Sequence, residues 1–308
     1  MKKIIYFLTI TTLFLSTSCS NEDLTTNELL TESQVLKFDS YKEMQNKIVE
    51  IKKISDAKES RILNIINSKN LKSNNLEFYH TERLNSIYEL RKELNFTSIQ
   101  SIADEINSLK LLNPKKANLL YDKYSTLLKK DKYSITYLND NETALVLNSK
   151  GEVIIGGKII KLINTSNTES TRYIGVDFVR EGTLLTNGSY SISWHAGRSE
   201  HKDDLGRTFW RNFTQLGSNV LTNNGWVQYP SSMRPLLDAH ANFSYGGAHT
   251  EHLGFLSSYG SVLRNSGGQK NVPNIPYYVK TGGTFTTTVN GVEMKLEGQS
   301  IFTIGYGL

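Results

Sequence analysis

From Thr171 to Leu308 the chain is written in alternation. The runs T-R-Y-I-G-V-D-F-V-R, S-Y-S-I-S-W-H and S-I-F-T-I-G-Y set large apolar or β-branched residues at every second position, the period of a half-buried strand. No run there combines helical period with helical length, so this stretch is predicted to be β-sheet. Its punctuation agrees: Thr222-Asn223-Asn224-Gly225 is a turn, and Asn290-Gly291 suits a two-residue hairpin because both residues tolerate positive φ. Tyr229-Pro230 and Arg234-Pro235 are expected to interrupt any ladder, because proline has no N–H to give it. At the C-terminal end, strands are predicted over Tyr277–Lys280, Thr284–Val289, Val292–Leu296 and Ile301–Tyr306, with Gly282-Gly283 as a turn.

The preceding stretch has a different period. Tyr41, Met44, Ile48 and Ile51 recur every three or four residues, and Ile62, Ile65 and Ile66 extend that face, which allows one bent helix or two. Asn67 to Asn75 is rich in Asn and Ser, which bond their own backbone, and so reads as a break. Further helices are predicted over Thr81–Leu94, through Leu84, Ile87, Tyr88 and Leu94, and from about Ser98 to Leu112. A fourth starts at Asn113-Pro114, a capping residue followed by a residue that needs no intrahelical N–H, and uses Ala117, Leu120, Tyr121, Tyr124, Leu127 and Leu128. Alternation returns at Tyr133, Ile135 and Tyr137, and glycine turns then separate Val153–Ile155 from Ile159–Leu162. The predicted fold class is α+β. A helical region with antiparallel helices, 37–132, precedes an antiparallel β domain, 133–308, of sandwich or open-barrel type whose first part, 133–163, is a small meander.

The first residues bear on location. Lys2 and Lys3 precede the apolar run Ile4 to Leu15, and small polar residues then lead to Cys19, the single cysteine of the chain. An apolar run of about a dozen residues is too short to span a bilayer as a helix, so 1–18 read as a signal peptide. One cysteine also excludes an intrachain disulfide and any multi-cysteine metal site. The string L-S-T-S-C, Leu15 to Cys19, resembles the signal of bacterial lipoproteins, although the leucine stands four residues before the cysteine instead of three. Lipoproteins of the Bacteroidota are similar to this looser form. The resemblance implies that Cys19 becomes the N-terminus and carries acyl chains such as palmitate, leaving 19–36 as a flexible tether. Ser20-Asn21-Glu22-Asp23 resembles the acidic tag that directs some such lipoproteins to the outer face of the cell outer membrane. The block Leu147 to Leu162 also resembles a short element of uncharacterised Bacteroidota envelope lipoproteins. Together these imply a membrane partner reached through a lipid anchor.

The formal net charge of +5 is spread along the chain, with lysines set beside acids, and lacks the clustered basic stripe of a nucleic-acid partner. No phosphate-cradling glycine pattern, H-E-x-x-H zinc motif or G-x-S-x-G elbow occurs, and no cofactor is expected. Five of the six histidines nevertheless fall between Trp194 and Leu253. Four of these, His195, His240, His249 and His252, form a candidate metal set with Asp238, since imidazole and carboxylate are zinc ligands. His249 and His252 share a face only if helical, whereas Asp238 and His240 share one if extended. The candidate binding set is Trp194, Arg198, Trp210, Trp226, Tyr229 and Arg234, a mixture suited to stacking on sugars or gripping a protein partner. The expected role is a lipid-anchored envelope module binding a polysaccharide or an envelope protein. A metal-dependent hydrolase built on the His/Asp set is the alternative.

Overall fold

The computed structural model describes residues 34–68, 76–137, 143–161, 176–187, 189–202, 208–243, 247–255, 258–260, 262–266, 277–289 and 292–304. Side chains are described in the first three segments and, further on, at 189–191, 193 and 217–230. The signal peptide, Cys19 and most of the tether therefore lie outside the described residues, as does the predicted break after Ser68. The fold is α+β, with four helices toward the N-terminus and antiparallel sheets after them.

Helix α1 (Tyr41–Ser68) is one helix of 28 residues. Ser40 Oγ accepts from the Glu43 N–H at 3.2 Å, while Glu43 reaches back to the Asp39 N–H at 2.6 Å, a reciprocal cap at the first turn. Its Met44, Ile48 and Ile51 are buried in the main core, and Ile62, Leu63 and Ile66 form a second cluster with Tyr79 of α2 (Leu76–Leu94). Each such side chain contributes about 1.5–3 kcal/mol by leaving water. Helix α3 (Ile99–Leu112) begins at Ser98, whose side chain accepts from the Ser101 N–H at 3.1 Å. Asn113 closes α3 through its N–H to Leu109 O and opens α4 (Pro114–Tyr124) by accepting from the Lys116 N–H at 3.1 Å. One residue thus supplies both caps, of which Asn113-Pro114 predicts the second.

Helix α4 stops at Tyr124, short of the predicted Leu127 and Leu128. Leu128 instead opens strand β2 (Leu128–Lys130), antiparallel to β3 (Ile135–Tyr137), and is buried there. The reason is the turn between them: Asp131 Oδ1 accepts from the N–H groups of Tyr133 and Ser134 at 2.7 and 2.6 Å, which reverses the chain. Asn107 of α3 then holds β3, giving and taking one hydrogen bond with the Ile135 backbone at 2.7 and 2.8 Å.

A small sheet follows, in which β4 (Glu152–Ile155) pairs antiparallel with β5 (Lys158–Lys161). Gly156 and Gly157 make that turn at φ +55° and +73°, left-handed values that favour glycine. On its other side β4 pairs in parallel with β1 (Lys37–Phe38), so this sheet departs from the antiparallel expectation. Tyr137, Ala144, Val146, Leu147, Val153, Ile155 and Ile160 share one core with the helices. A boundary at residue 133 therefore cuts through that core.

The remaining strands form two antiparallel sheets. One has the order β13 (Val262–Ser266), β8 (Thr208–Thr222), β7 (Tyr190–Lys202), β6 (Val176–Asn187), with β9 (Gly225–Gln228) also on β8. The other runs β11 (Gly247–Phe255), β10 (Ser231–Phe243), β14 (Tyr277–Val289), β15 (Val292–Ile304), with β12 (Ser258–Gly260) also on β10. Two expectations change here. Gly282 and Gly283 do not turn the chain but lie within β14, where Gly283 stands opposite Gly298 of β15. Pro235 lies inside β10 opposite Phe285, and the ladder to β11 shifts register directly after it, between Leu236 and Asp238. A bulge is one of the few ladder positions where a missing N–H is tolerated.

Candidate functional site

A cleft of about 160 Å³ opens between α1, α2 and α3, lined by many polar residues although the larger part of its wall surface is apolar. Asp56 and Glu59 come from α1, Arg83 and Ser86 from α2, and Gln100 and Asp104 from α3, over an apolar floor that includes Ile87 and Leu90. Arg83 Nη2 holds Asp104 Oδ1 at 3.1 Å, and the Tyr79 hydroxyl donates to Glu59 Oε1 at 2.6 Å. Burial alone would lower the Arg83 pKa, but Tyr79, Asp104 and Glu59 outweigh it and hold the guanidinium more firmly charged than usual. Asp56 is the opposite case: partial burial raises its carboxyl above the ordinary range, and Lys52 offsets only part of the rise. Gln100 Oε1 is buried and meets no hydrogen-bond partner among the described residues. A buried acceptor left in that state costs about 1–3 kcal/mol.

Arg83 also connects the cleft to the sheets. Its Nη1 donates to Gln228 Oε1 of β9, and His80 Nε2 donates to the Gln228 backbone oxygen at 2.8 Å. His80 is fully buried, and its pKa is lowered to about 3 by that burial and by the neighbouring Arg83 and Lys110 charges, against the opposing effect of the Gln228 bond. The ring is therefore neutral. With the proton on Nε2, Nδ1 is left as an acceptor that meets no partner among the described residues. Around this point β9 packs on α3: Val227 is buried, and Asn224 Nδ2, in the turn before β9, donates to Leu111 O at 3.3 Å. Trp226 meets Tyr133 edge to face at 5.3 Å, with the Lys132 ammonium over both rings.

A second buried cluster lies further along α2. Arg91 Nη1 meets Glu105 Oε2 at 2.6 Å, Arg91 Nε donates to Ser101 Oγ at 3.0 Å, and the Tyr88 hydroxyl donates to Glu105 Oε1 at 2.9 Å. Every partner is helical.

The predicted binding residues scatter. Trp226 is occupied in the seam just described, and Tyr229 packs edge to face on Tyr190 at 5.7 Å. Trp194 and Arg198 lie on β7 opposite Leu216 and Asn212, and Trp210 lies on β8 opposite Glu200, so these three share one sheet face by parity. Arg234 belongs to the other sheet, on β10 opposite Thr286. The predicted metal residues divide as well. Asp238 and His240 lie on β10, with His252 of β11 directly opposite Asp238 and His249 opposite Ala241. Because β11 is a strand, positions 249 and 252 fall on opposite faces. His195 lies in the first sheet, on β7 between Glu181 and Gln215. Among the residues searched, no group of three or more His, Cys, Asp or Glu side chains is set to hold a metal ion. No described helix is long and apolar enough to cross a membrane.

His80, Arg83 and Gln100 are absent from the sequence candidates. The available signal was weak: His80 and Arg83 are three apart on a helix whose apolar stripe is poorly defined, so they read as its polar face.

No protein-family model matches the chain, and no curated protein matches it. Among solved structures it is similar to a DUF4848 family protein from Bacteroides thetaiotaomicron, at 12% identity over 89% of this chain and 98% of that one, with a TM-score of 0.25.

Proposed function

We propose that this chain is a lipid-anchored envelope protein of the Bacteroidota outer membrane that binds a hydroxyl-rich ligand, one saccharide unit of an envelope polysaccharide, in the cleft between α1, α2 and α3. The observation that carries the binding reading is the cleft lining itself, in which Asp56, Ser86, Gln100 and Asp104 from three helices meet over Ile87 and Leu90. Carboxylates, an amide and a hydroxyl over an apolar floor suit a sugar ring, which offers hydroxyl donors around an apolar face. The volume of about 160 Å³ suits one ring and not a peptide segment. The anchor reading rests on Lys2-Lys3, the apolar run and the sole Cys19.

Two measurements test the two halves. Equilibrium binding of the protein to saccharides released from its own envelope is expected to weaken about tenfold or more in Gln100→Ala and Asp56→Ala, since a buried hydrogen bond in such a site is worth about 1–3 kcal/mol. Unchanged binding in both variants would remove the cleft as the site. Metabolic labelling with a palmitate analogue is expected to mark the protein and to be lost in Cys19→Ala, and an unlabelled parent protein would remove the anchor.

A further inference from the structure

The sheet register gathers three groups that the sequence scatters. Asp238 and His240 are two apart on β10 and therefore share a face, and the ladder sets His252 of β11 directly opposite Asp238. Asp238 and His252 are the first pair after the register shift at Leu236, and the ladder is regular from there to Phe243. Positions directly opposite on paired strands have Cβ atoms about 4.5–5.5 Å apart, and positions two apart on one strand are separated by about 6.6–6.8 Å. Register positions at those spacings are compatible with a single ion bound at about 2.0–2.2 Å.

We propose that this face of β10 and β11 is a site for a zinc-class divalent ion, with Asp238, His240 and His252 as its ligand set. The chemistry of the set selects the ion, because two imidazoles and one carboxylate favour zinc and its neighbours over magnesium or calcium. Three protein ligands leave a fourth position for water or another molecule. The surroundings fit. Gly282 of β14 stands on the other side of Asp238 and adds no side chain there. Lys280 stands opposite His240 in the ladder to β14. β11 stands at the end of its sheet order among the described strands. The same register excludes His249, which falls on the other face, and His195, which belongs to the other sheet.

The test is metal binding by the full chain, purified in detergent without a polyhistidine tag, stripped with chelator and titrated with Zn²⁺ and then with Co²⁺ as the spectroscopic probe. About one Zn²⁺ per chain is expected, with a tetrahedral Co²⁺ absorption band at the same stoichiometry. His252→Ala and His240→Ala are each expected to weaken binding about tenfold or more, whereas His249→Ala and His195→Ala leave it unchanged. Circular dichroism in chelator separates ligand loss from misfolding, and His252→Asn and His240→Asn replace either alanine variant that fails to fold. Absence of zinc after titration, an octahedral oxygen-type Co²⁺ spectrum, or equal loss in His249→Ala and His252→Ala would each overturn the proposal.

Discussion

Helix α2 carries two largely covered arginines two turns apart, and they do different things. Arg91 meets a full opposite charge, Glu105, and spends its other described bonds within the helical part. Arg83 meets Asp104 but turns its second nitrogen to a neutral amide, Gln228 of β9, beside the uncharged His80. The Arg91 cluster keeps all its described bonds within the helices, while Arg91 Nη2 is buried without a partner among the described residues, so it bears on the helical part alone. The Arg83 cluster is open at both ends, toward the cleft and toward the sheet, and is the place where one part of the molecule bears on the other. What separates them is the partner's origin, not the degree of burial.

That contrast can be broken experimentally. The largest effect is expected for Arg91→Met, which leaves Glu105, 3% exposed at its side chain, as a buried charge without its main partner. A loss of about 3–5 kcal/mol is expected in urea unfolding, largely recovered in Arg91→Met/Glu105→Leu, because a matched apolar pair removes the stranded charge. A double variant as unstable as the single would mean that the cluster bears on more than the helical part.

Gln228→Ala is expected to cost less, about 1–3 kcal/mol, since Arg83 keeps Asp104 while losing its neutral acceptor. The distinguishing readout is local: hydrogen exchange should rise at β9 and at the facing turns of α2 and α3, and stay unchanged around Arg91. Uniform change across all four helices would contradict a seam confined to Arg83.

The smallest effect per unit change is the pH response. His80 has a folded pKa of about 3 against an ordinary 6.5, so between those values the unfolded chain binds the proton and the folded chain does not. Its contribution to stability is therefore complete above pH 6.5 and is lost as pH falls toward 3, at a slope of up to about 1.4 kcal/mol per pH unit. His80→Gln, which keeps a donor to the Gln228 oxygen, should flatten the stability profile between pH 6.5 and 4 relative to the parent chain. Parallel profiles would show that the acid sensitivity comes from carboxylates elsewhere.

Much of the helical part was legible. The cap at Asn113-Pro114, the Ser98 start and the faces of Met44, Ile48 and Ile51 are local patterns, set by residues within a turn of one another. The end of α4 was not, because Leu128 fits an amphipathic stripe as well as a strand, and the Asp131 turn decided between them. Pro235 and Gly282-Gly283 were read as breaks because their intrinsic preferences oppose a ladder. A bulge and an opposing glycine let the strands run on.

The sequence by itself determined where helical period gives way to alternation, and with it the α+β class, because both periods are properties of neighbouring residues. The candidate site was decided at longer range. His80 and Gln228 are 148 positions apart, and neither has a local reason to be more than a solvated polar residue. Only packing β9 against α2 and α3 removes water from both, and the loss of water is what turns an ordinary histidine and an ordinary glutamine into a seam. The same holds for Asp238 and His252, which no spacing rule relates until the ladder fixes which positions stand opposite each other.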